Sequence, residues 1–143
     1  MSTRALVGFM PEDGEDKVTL AWQWNDGDNL KQYLKDFNSP EQVQELVNLG
    51  VYSALLDEKE IEWFSTHQIK APGKIKKLRK TPNMYVIISK HQMGETPTTY
   101  KNVEEAAAQD VNYVFLYDTF NNCWYYTDTY KEGMTIDDFK QLR

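Results

Sequence analysis

Hydrophobic and polar residues alternate most clearly in two parts of the chain, and each part predicts a pair of antiparallel strands. Residues 3–10 and 17–24 flank a polar turn containing Asp13-Gly14, a dipeptide suited to tight bends between strands. In the second of these segments Val18, Leu20 and Trp22 occupy alternate positions and share one face. Residues 111–130 predict a second hairpin, because β-branched and aromatic residues dominate this stretch.

The second hairpin carries eight aromatic residues in twenty positions and is the predicted centre of the fold. Asn121 and Asn122 tolerate positive φ, so we expect a two-residue turn that places Phe120 opposite Cys123. We interpret the more aromatic face as core beneath the early helices, and the alternative is an exposed surface on which nucleobases stack. That face comprises Tyr113, Phe115, Tyr117, Trp124 and Tyr126.

Helical spacing and capping residues predict the remaining elements. Leu30 to Phe37 recur at helical spacing, and a second helix is expected from Ser39 to Gly50, with Pro40 at its first position. We expect a short helical turn within residues 51–68 and an inner strand at residues 84–89. Asn102 and Thr135 are predicted to cap two further short helices.

Together these elements predict an α+β fold. The predicted architecture is one domain over residues 1–143, with a single, mostly antiparallel sheet built from the two hairpins plus the central strand. The helices are expected to pack on one face of that sheet. A length of 143 residues is typical of one domain.

The charge is unevenly distributed along the chain. The net charge is −6, yet one segment of eleven residues holds six cations and no acid, which leaves −12 on the rest. We predict that this segment forms a flexible basic loop at about residues 69–82, bracketed by Pro72, Gly73 and Pro82. The six cations are Lys70, Lys74, Lys76, Lys77, Arg79 and Lys80.

Composition also predicts the cellular location of the protein. No apolar run approaches the length of a membrane-spanning helix, and the first residues do not resemble a signal peptide. Cys123 is the only cysteine, which excludes an internal disulfide and fits a reducing compartment. We therefore expect a cytoplasmic protein without a membrane partner.

Several short segments resemble a family of uncharacterised small phage and prophage proteins. The segments are MSTRA at residues 1–5, Trp24 with Asp26-Gly27, FNSPEQVQELVNLG at residues 37–50, and Gly94-Glu95 followed by NYVFLYD and WYY. The resemblance implies a viral or mobile-element gene product in the cytoplasm of a bacterial host. The chain departs from the family at Gln23, where the family has a histidine, and at Asn25, which is inserted before Asp26.

Residues that catalyse reactions or bind metals show no recognisable pattern. His67, His91 and Cys123 lack the paired spacing of a zinc site, and residues 26–29 fit a turn better than a calcium loop. A dyad of Cys123 with His67 or His91 is the alternative, as is a hydrolase acting on a nucleotide. We predict no catalytic residues, no metal and no cofactor, and we favour a protein that is not an enzyme.

The acidic body suggests a protein that acts by binding another protein. The leading hypothesis is a small, non-catalytic phage-type accessory protein that binds a host protein, such as an enzyme of antiviral defence or nucleic-acid metabolism. Acidic residues would meet a basic host surface, and the alternative is a nucleotide or single-stranded nucleic-acid binding module that uses the basic loop with exposed aromatics. The acidic candidates are Asp26, Asp28, Glu58, Glu60 and Glu62, with Glu12, Asp13, Glu15 and Asp16 of the first turn.

Overall fold

The computed structural model describes residues 3–92 and 95–143. Met1, Ser2 and Gly94, which contribute to the family resemblance, lie outside the described residues. The strands are β1 Ala5–Phe9, β2 Val18–Gln23, β3 Val51–Tyr52, β4 Ala54–Asp57, β5 Lys74–Lys77, β6 Met84–Ile88, β7 Thr98–Tyr100, β8 Tyr113–Asp118, β9 Cys123–Thr127 and β10 Lys140–Gln141. The helices are α1 Leu30–Tyr33, α2 Pro40–Asn48, α3 Glu58–Thr66 and α4 Val103–Ala107.

Within the described residues the strands form two sheets, so the prediction of a single, mostly antiparallel sheet is wrong. The large sheet has seven strands in the order β10-β9-β8-β1-β2-β3, with β7 also paired to β2. Two of its pairs are parallel, β1 with β8 and β2 with β3. The two predicted hairpins both form, but the parallel β1–β8 pair joins them edge to edge and makes the sheet mixed.

The second sheet is small and antiparallel, in the order β4-β6-β5. One continuous segment, β3 followed by β4, leaves the large sheet at Ser53 and enters the small one. Ser53 donates its N–H to Ile87 O at 2.7 Å, while its carbonyl accepts from Asn25 N at 2.8 Å. The helical turn expected within residues 51–68 is present as α3, which follows β4 directly and has a capping box formed by Asp57 and Glu60. The two strands that precede it were not predicted.

The basic segment at residues 69–82 contains strand β5 in addition to loop. β5 pairs with β6, the inner strand predicted at residues 84–89. Leu78, which follows β5, is buried in the main core, so the segment is anchored at this point. The predicted flexibility of the segment stays a prediction.

Hydrophobic residues pack on both faces of the large sheet, so the prediction of helices on one face is wrong. On one face α1 and α2 cover the larger core, in which Phe37, Leu46 and Phe115 are buried. On the opposite face α4 and the chain after Met134 cover a second core around Leu116. β1 and β8 are buried on both sides, as expected for the inner strands of a sheet covered on both faces.

The aromatic hairpin forms with the predicted faces but a different register. Tyr117 lies opposite Trp124 and Phe115 opposite Tyr126. The loop is therefore longer than the two residues predicted, and the register moves by an even number of residues. Because side chains alternate with a period of two, an even shift leaves every side chain on its predicted face.

Candidate functional site

Two loops emerge side by side at one edge of the large sheet. β1 and β8 are parallel neighbours, so the segments that follow their carboxyl ends leave the sheet at the same edge. The first segment is the acidic turn at residues 11–17, and the second is the tip of the aromatic hairpin at residues 119–122. Met10 N donates to Tyr117 O at 2.9 Å and joins the bases of the two segments.

Phe120 occupies the hairpin tip and is 91% exposed, more than any other large hydrophobic side chain among the described residues. The main chain around it is held by Asp118, whose Oδ1 accepts from the N–H groups of Phe120 at 3.0 Å and Asn121 at 3.3 Å. Asn121 Nδ2 donates to Asp118 Oδ2 at 2.8 Å. Asn122 adopts a φ of 51° and accepts a hydrogen bond from the Tyr117 hydroxyl. These bonds restrain the main chain of the turn that carries the Phe120 ring.

A concavity of about 620 Å³ lies beside Phe120. Its apolar part comes from Phe9, Met10 and Pro11, which are half-buried at the end of β1. We call Phe120 and this concavity the tip surface. Its lining residues are Phe9, Met10, Pro11, Glu12, Asp13, Gln44, Asp118, Thr119, Phe120 and Asn121.

The tip surface has a negatively charged rim. Glu12, Asp13, Glu15 and Asp16 are exposed, and Lys17 is the one cation in residues 11–17. None of these carboxylates forms a salt bridge within residues 3–92 and 95–143. Burial raises the pKa of Tyr117, and the neighbouring Cys123, Asp118 and Glu41 groups raise it further. The exposed aromatic ring therefore lies in a field that favours a positively charged partner.

Two of the acidic candidates, Asp26 and Glu60, come together around Tyr33. The Tyr33 hydroxyl donates to the Glu60 carboxylate. Burial raises the pKa of Tyr33, as do the hydrogen bond to Glu60 and the charges of Glu60, Asp57 and Asp26. Asp57 is a member of this cluster that the sequence did not indicate. Asp28 lies apart from it and accepts from Thr3 Oγ1 at 2.9 Å.

The other acidic candidates, Glu58 and Glu62, are exposed on α3. No residue of α3 is buried, and its Trp63 is 48% exposed. The Trp63 ring stacks on His67 with centroids 4.5 Å apart. The structure therefore divides the acidic candidates between the tip surface, the Tyr33 cluster and the outer side of α3, with Asp28 separate beside Thr3.

The basic candidates lie on β5 and in the loops on either side of it. Arg79 and Lys80 each donate a main-chain N–H to the Glu45 carboxylate at 2.8 Å, which ties this loop to α2. Their side chains are exposed, as are those of Lys70, Lys74, Lys76 and Lys77. In the part of the chain that the structure describes, none of the six forms a salt bridge.

The predicted burial of the aromatic face is confirmed at its centre. Phe115, Tyr117 and Trp124 are buried, and Trp124 Nε1 donates to Phe37 O at 2.9 Å. Tyr113 and Tyr126 at its margin are half-buried, with the Lys31 ammonium about 5 Å above both rings. Bases cannot stack on rings that lie beneath helices, so the nucleic-acid alternative loses its aromatic platform.

No metal centre is recognisable among residues 3–92 and 95–143, since no group of three or more His, Cys, Asp and Glu side chains has the required arrangement. His67 caps the end of α3, and Cys123 begins β9. None of the helices in these residues combines the length and apolar character required to cross a bilayer.

Comparison with known proteins gives no relative. No family model, curated protein or solved structure matches the chain significantly. The resemblance to small phage proteins therefore stays a prediction drawn from a few short segments. Phe120 is the functional candidate that the sequence did not indicate. A signal for the turn was present, because aspartate often accepts a hydrogen bond from the main chain two positions on, as Asp118 does here.

Proposed function

We propose that this protein is a small, non-catalytic, phage-type accessory protein that acts by binding a host protein, and that the tip surface is the binding site. Phe120 is the anchor residue of this proposal. The partner is a protein with a basic surface and an apolar pocket, such as an enzyme of antiviral defence or nucleic-acid metabolism. The exposure of Phe120 on a hydrogen-bonded turn is the observation that carries the proposal.

An exposed aromatic ring on a turn whose main chain is restrained is suited to bind a partner. Binding energy concentrates in a few residues that fill pockets on the partner, and truncating such a residue costs about 2 kcal/mol or more. Ordering a mobile side chain on binding costs about 0.5–1.5 kcal/mol. Asp118 and Asn121 already restrain the turn, so part of the ordering cost is met in the free protein.

The acidic rim supports the choice of a basic partner. Complementary charges raise the association rate and exclude partners of the wrong sign. Glu12 and Asp13 line the concavity itself, and Glu15 and Asp16 extend the rim. We therefore expect binding to weaken as salt concentration rises, because exposed charges are screened.

The experiment compares capture of bacterial host proteins by the wild type, Phe120→Ala and Tyr130→Ala. Tyr130 is the matched control, because it is 52% exposed and lies beyond the far end of β9. We expect the wild type and Tyr130→Ala to capture the same protein in stoichiometric amounts. Phe120→Ala should bind that protein about 30-fold more weakly, the change that corresponds to about 2 kcal/mol.

Three outcomes would contradict the proposal. One is the absence of any stoichiometric partner. Another is a partner that Phe120→Ala captures as well as the wild type does. Loss of capture in both variants would also count against the tip surface, because it would reflect general destabilisation.

The alternative function is a nucleotide or single-stranded nucleic-acid binding module. It is favoured by the exposed cations on and around β5, which form no salt bridge among the described residues, whereas the aromatic face predicted to take part is buried at its centre. It predicts that labelled oligonucleotides bind at low salt, and that replacing Lys74, Lys76 and Lys77 by Gln abolishes binding. Oligonucleotides that do not bind at low salt would remove it.

A further inference from the structure

β5 is the outer strand of the small sheet, and among the described residues its one strand neighbour is β6. Leu78 N donates to Met84 O at 3.0 Å just beyond the β5–β6 ladder, which places Leu78 at a position whose N–H points toward β6, while Met84 N donates to Thr81 O. Hydrogen-bonded pairs alternate with non-bonded pairs along antiparallel strands. The N–H and C=O groups of Ile75 and Lys77 therefore point away from β6, toward the open edge.

The open edge is accessible in the part of the chain that the structure describes. Outside the β5–β6 ladder, no hydrogen bond between described residues involves the main chain of Ile75 or Lys77. Lys74, Lys76 and Lys77 are exposed, and Ile75 is half-buried. An added strand would find donors and acceptors along this edge.

Cations lie on both faces of the edge strand. Because side chains alternate along a strand, Lys74 and Lys76 lie on one face and Lys77 on the other. Lysines on an edge strand discourage pairing with neutral or basic strands, and the same charges attract an acidic one. A strand that pairs with β5 would place its own side chains beside the lysines on both faces. Acidic residues at successive positions, rather than at every second one, fit this arrangement.

We propose that the open edge of β5 binds an extended acidic segment of another protein by strand addition. The main chain of Ile75 and Lys77 would supply the hydrogen bonds, and the lysines on the two faces would select acidic side chains. This surface differs from the tip surface in the sign of its charge and in its chemistry. The two proposals are therefore tested independently of each other.

The probe is a fluorescent peptide of about ten residues, the length of a long strand, with Glu at two of every three positions and Val or Thr between them. Two versions carry N-methyl groups, one on alternate amides, which leaves one edge of the peptide free to hydrogen-bond, and one on every amide, which blocks both edges. Strand addition needs one free edge, so we expect the first version to bind nearly like the parent and the second about tenfold more weakly. Equal affinities of the two versions, measured by fluorescence anisotropy, would overturn the proposal in favour of charge attraction alone.

Two sets of variants locate the binding on β5. Ile75→Pro removes an outward N–H without removing a bond to β6, and Ile75→Val is its control. We expect about a tenfold loss of peptide affinity for the proline variant and no change for the valine variant. If Ile75→Pro fails to fold, charge reversal of Lys74, Lys76 and Lys77 to Glu is compared with the same reversal at Lys17, Lys35 and Lys101.

We expect the charge reversal on β5 to abolish peptide binding and the control reversal to leave it in place. Equal loss of binding in the two charge-reversal variants would overturn the proposal. Phe120→Ala should leave the peptide affinity unchanged, which separates this test from that of the tip surface. A single-stranded oligonucleotide that displaces the peptide at equal concentration would indicate a surface for polyanions in general and would also overturn the proposal.

Discussion

The strands of the aromatic hairpin and its tip differ sharply in the environment of the same residue type. Phe115 is 0% exposed at the centre of β8, whereas Phe120 is 91% exposed five positions later. The Phe115 ring stacks between Tyr113 and Tyr126, with centroids 5.6 and 6.0 Å away. Phe120 forms no recognised aromatic pair among the described residues, and its main chain bonds to Asp118 instead.

The aromatic residues of the hairpin therefore have two different roles. Those on the strands bury area against α1, α2 and α4 and stabilise the fold. The one at the tip adds nothing to either core. Burying a phenylalanine side chain is worth about 1.5–3 kcal/mol, so an exposed one forgoes stabilisation that a binding partner is able to recover.

Replacing each phenylalanine by alanine tests the comparison, and we expect the largest effect in the core. Phe115→Ala should lower the free energy of unfolding by about 3–5 kcal/mol, because it removes a buried ring and leaves a cavity. Phe120→Ala should change it by less than about 0.5 kcal/mol, as for other exposed positions. Urea unfolding followed by circular dichroism measures both. Similar losses in the two variants would show that Phe120 packs into the protein and would end its role as an anchor.

Tyr52→Phe sharpens the account of the core beneath the hairpin. The Tyr52 hydroxyl is buried without a hydrogen-bond partner among the described residues, so its removal should stabilise the protein by about 1–3 kcal/mol at neutral pH. Burial also raises the pKa of Tyr52 above its ordinary value of 10.0. As the pH rises above that value the hydroxyl ionises in the unfolded chain but stays protonated in the folded protein, so the free energy of unfolding falls.

The pH dependence of stability checks this assignment. Above pH 10 the wild type should lose up to about 1.4 kcal/mol per pH unit through this hydroxyl, in addition to losses from other tyrosines. The Tyr52→Phe variant should lose less stability over the same pH range. Urea unfolding at pH 8 and pH 11 measures the difference. If the two proteins lose the same stability, the pKa of Tyr52 is the same in the folded and unfolded states.

Asp118→Ala tests whether the tip is rigid, and its effect on stability should be smaller than that of Phe115→Ala. The variant removes the acceptor for two main-chain N–H groups, which should lower stability by about 1 kcal/mol, as at helix caps. Partner affinity should fall about threefold to tenfold, because the turn then has to be ordered on binding. Asp128→Ala makes the same charge change beyond the far end of β9. Equal affinities of the two variants would indicate that charge, rather than order at the tip, matters.

Local structure could be predicted from the sequence where its cause is local. The capping positions Ser39, Asn102 and Thr135 were predicted, and each side chain accepts a main-chain N–H as expected. The faces of the aromatic hairpin were predicted too, because they depend only on alternation. Asp57 with Glu60 was an equally readable capping pattern that the sequence analysis passed over.

Pairing between distant segments could not be predicted. The alternation of hydrophobic and polar residues in β1 does not indicate that its second neighbour is β8, which lies near the other end of the chain. Val51 to Asp57 is apolar enough for either helix or strand, and its partners β2 and β6 decide the outcome. The tip surface depends on the β1–β8 pair. Its acidic half was visible in the sequence, whereas its position beside Phe120 was not.

Photocrosslinking at position 120 tests the central claim most directly. A benzoylphenylalanine is placed at Phe120 or, as the control, at Tyr130, and the protein is irradiated inside bacterial host cells. We predict one discrete adduct with a host protein from position 120 and none from position 130. No adduct from position 120, or the same adducts from both positions, would contradict the claim that Phe120 anchors a protein partner.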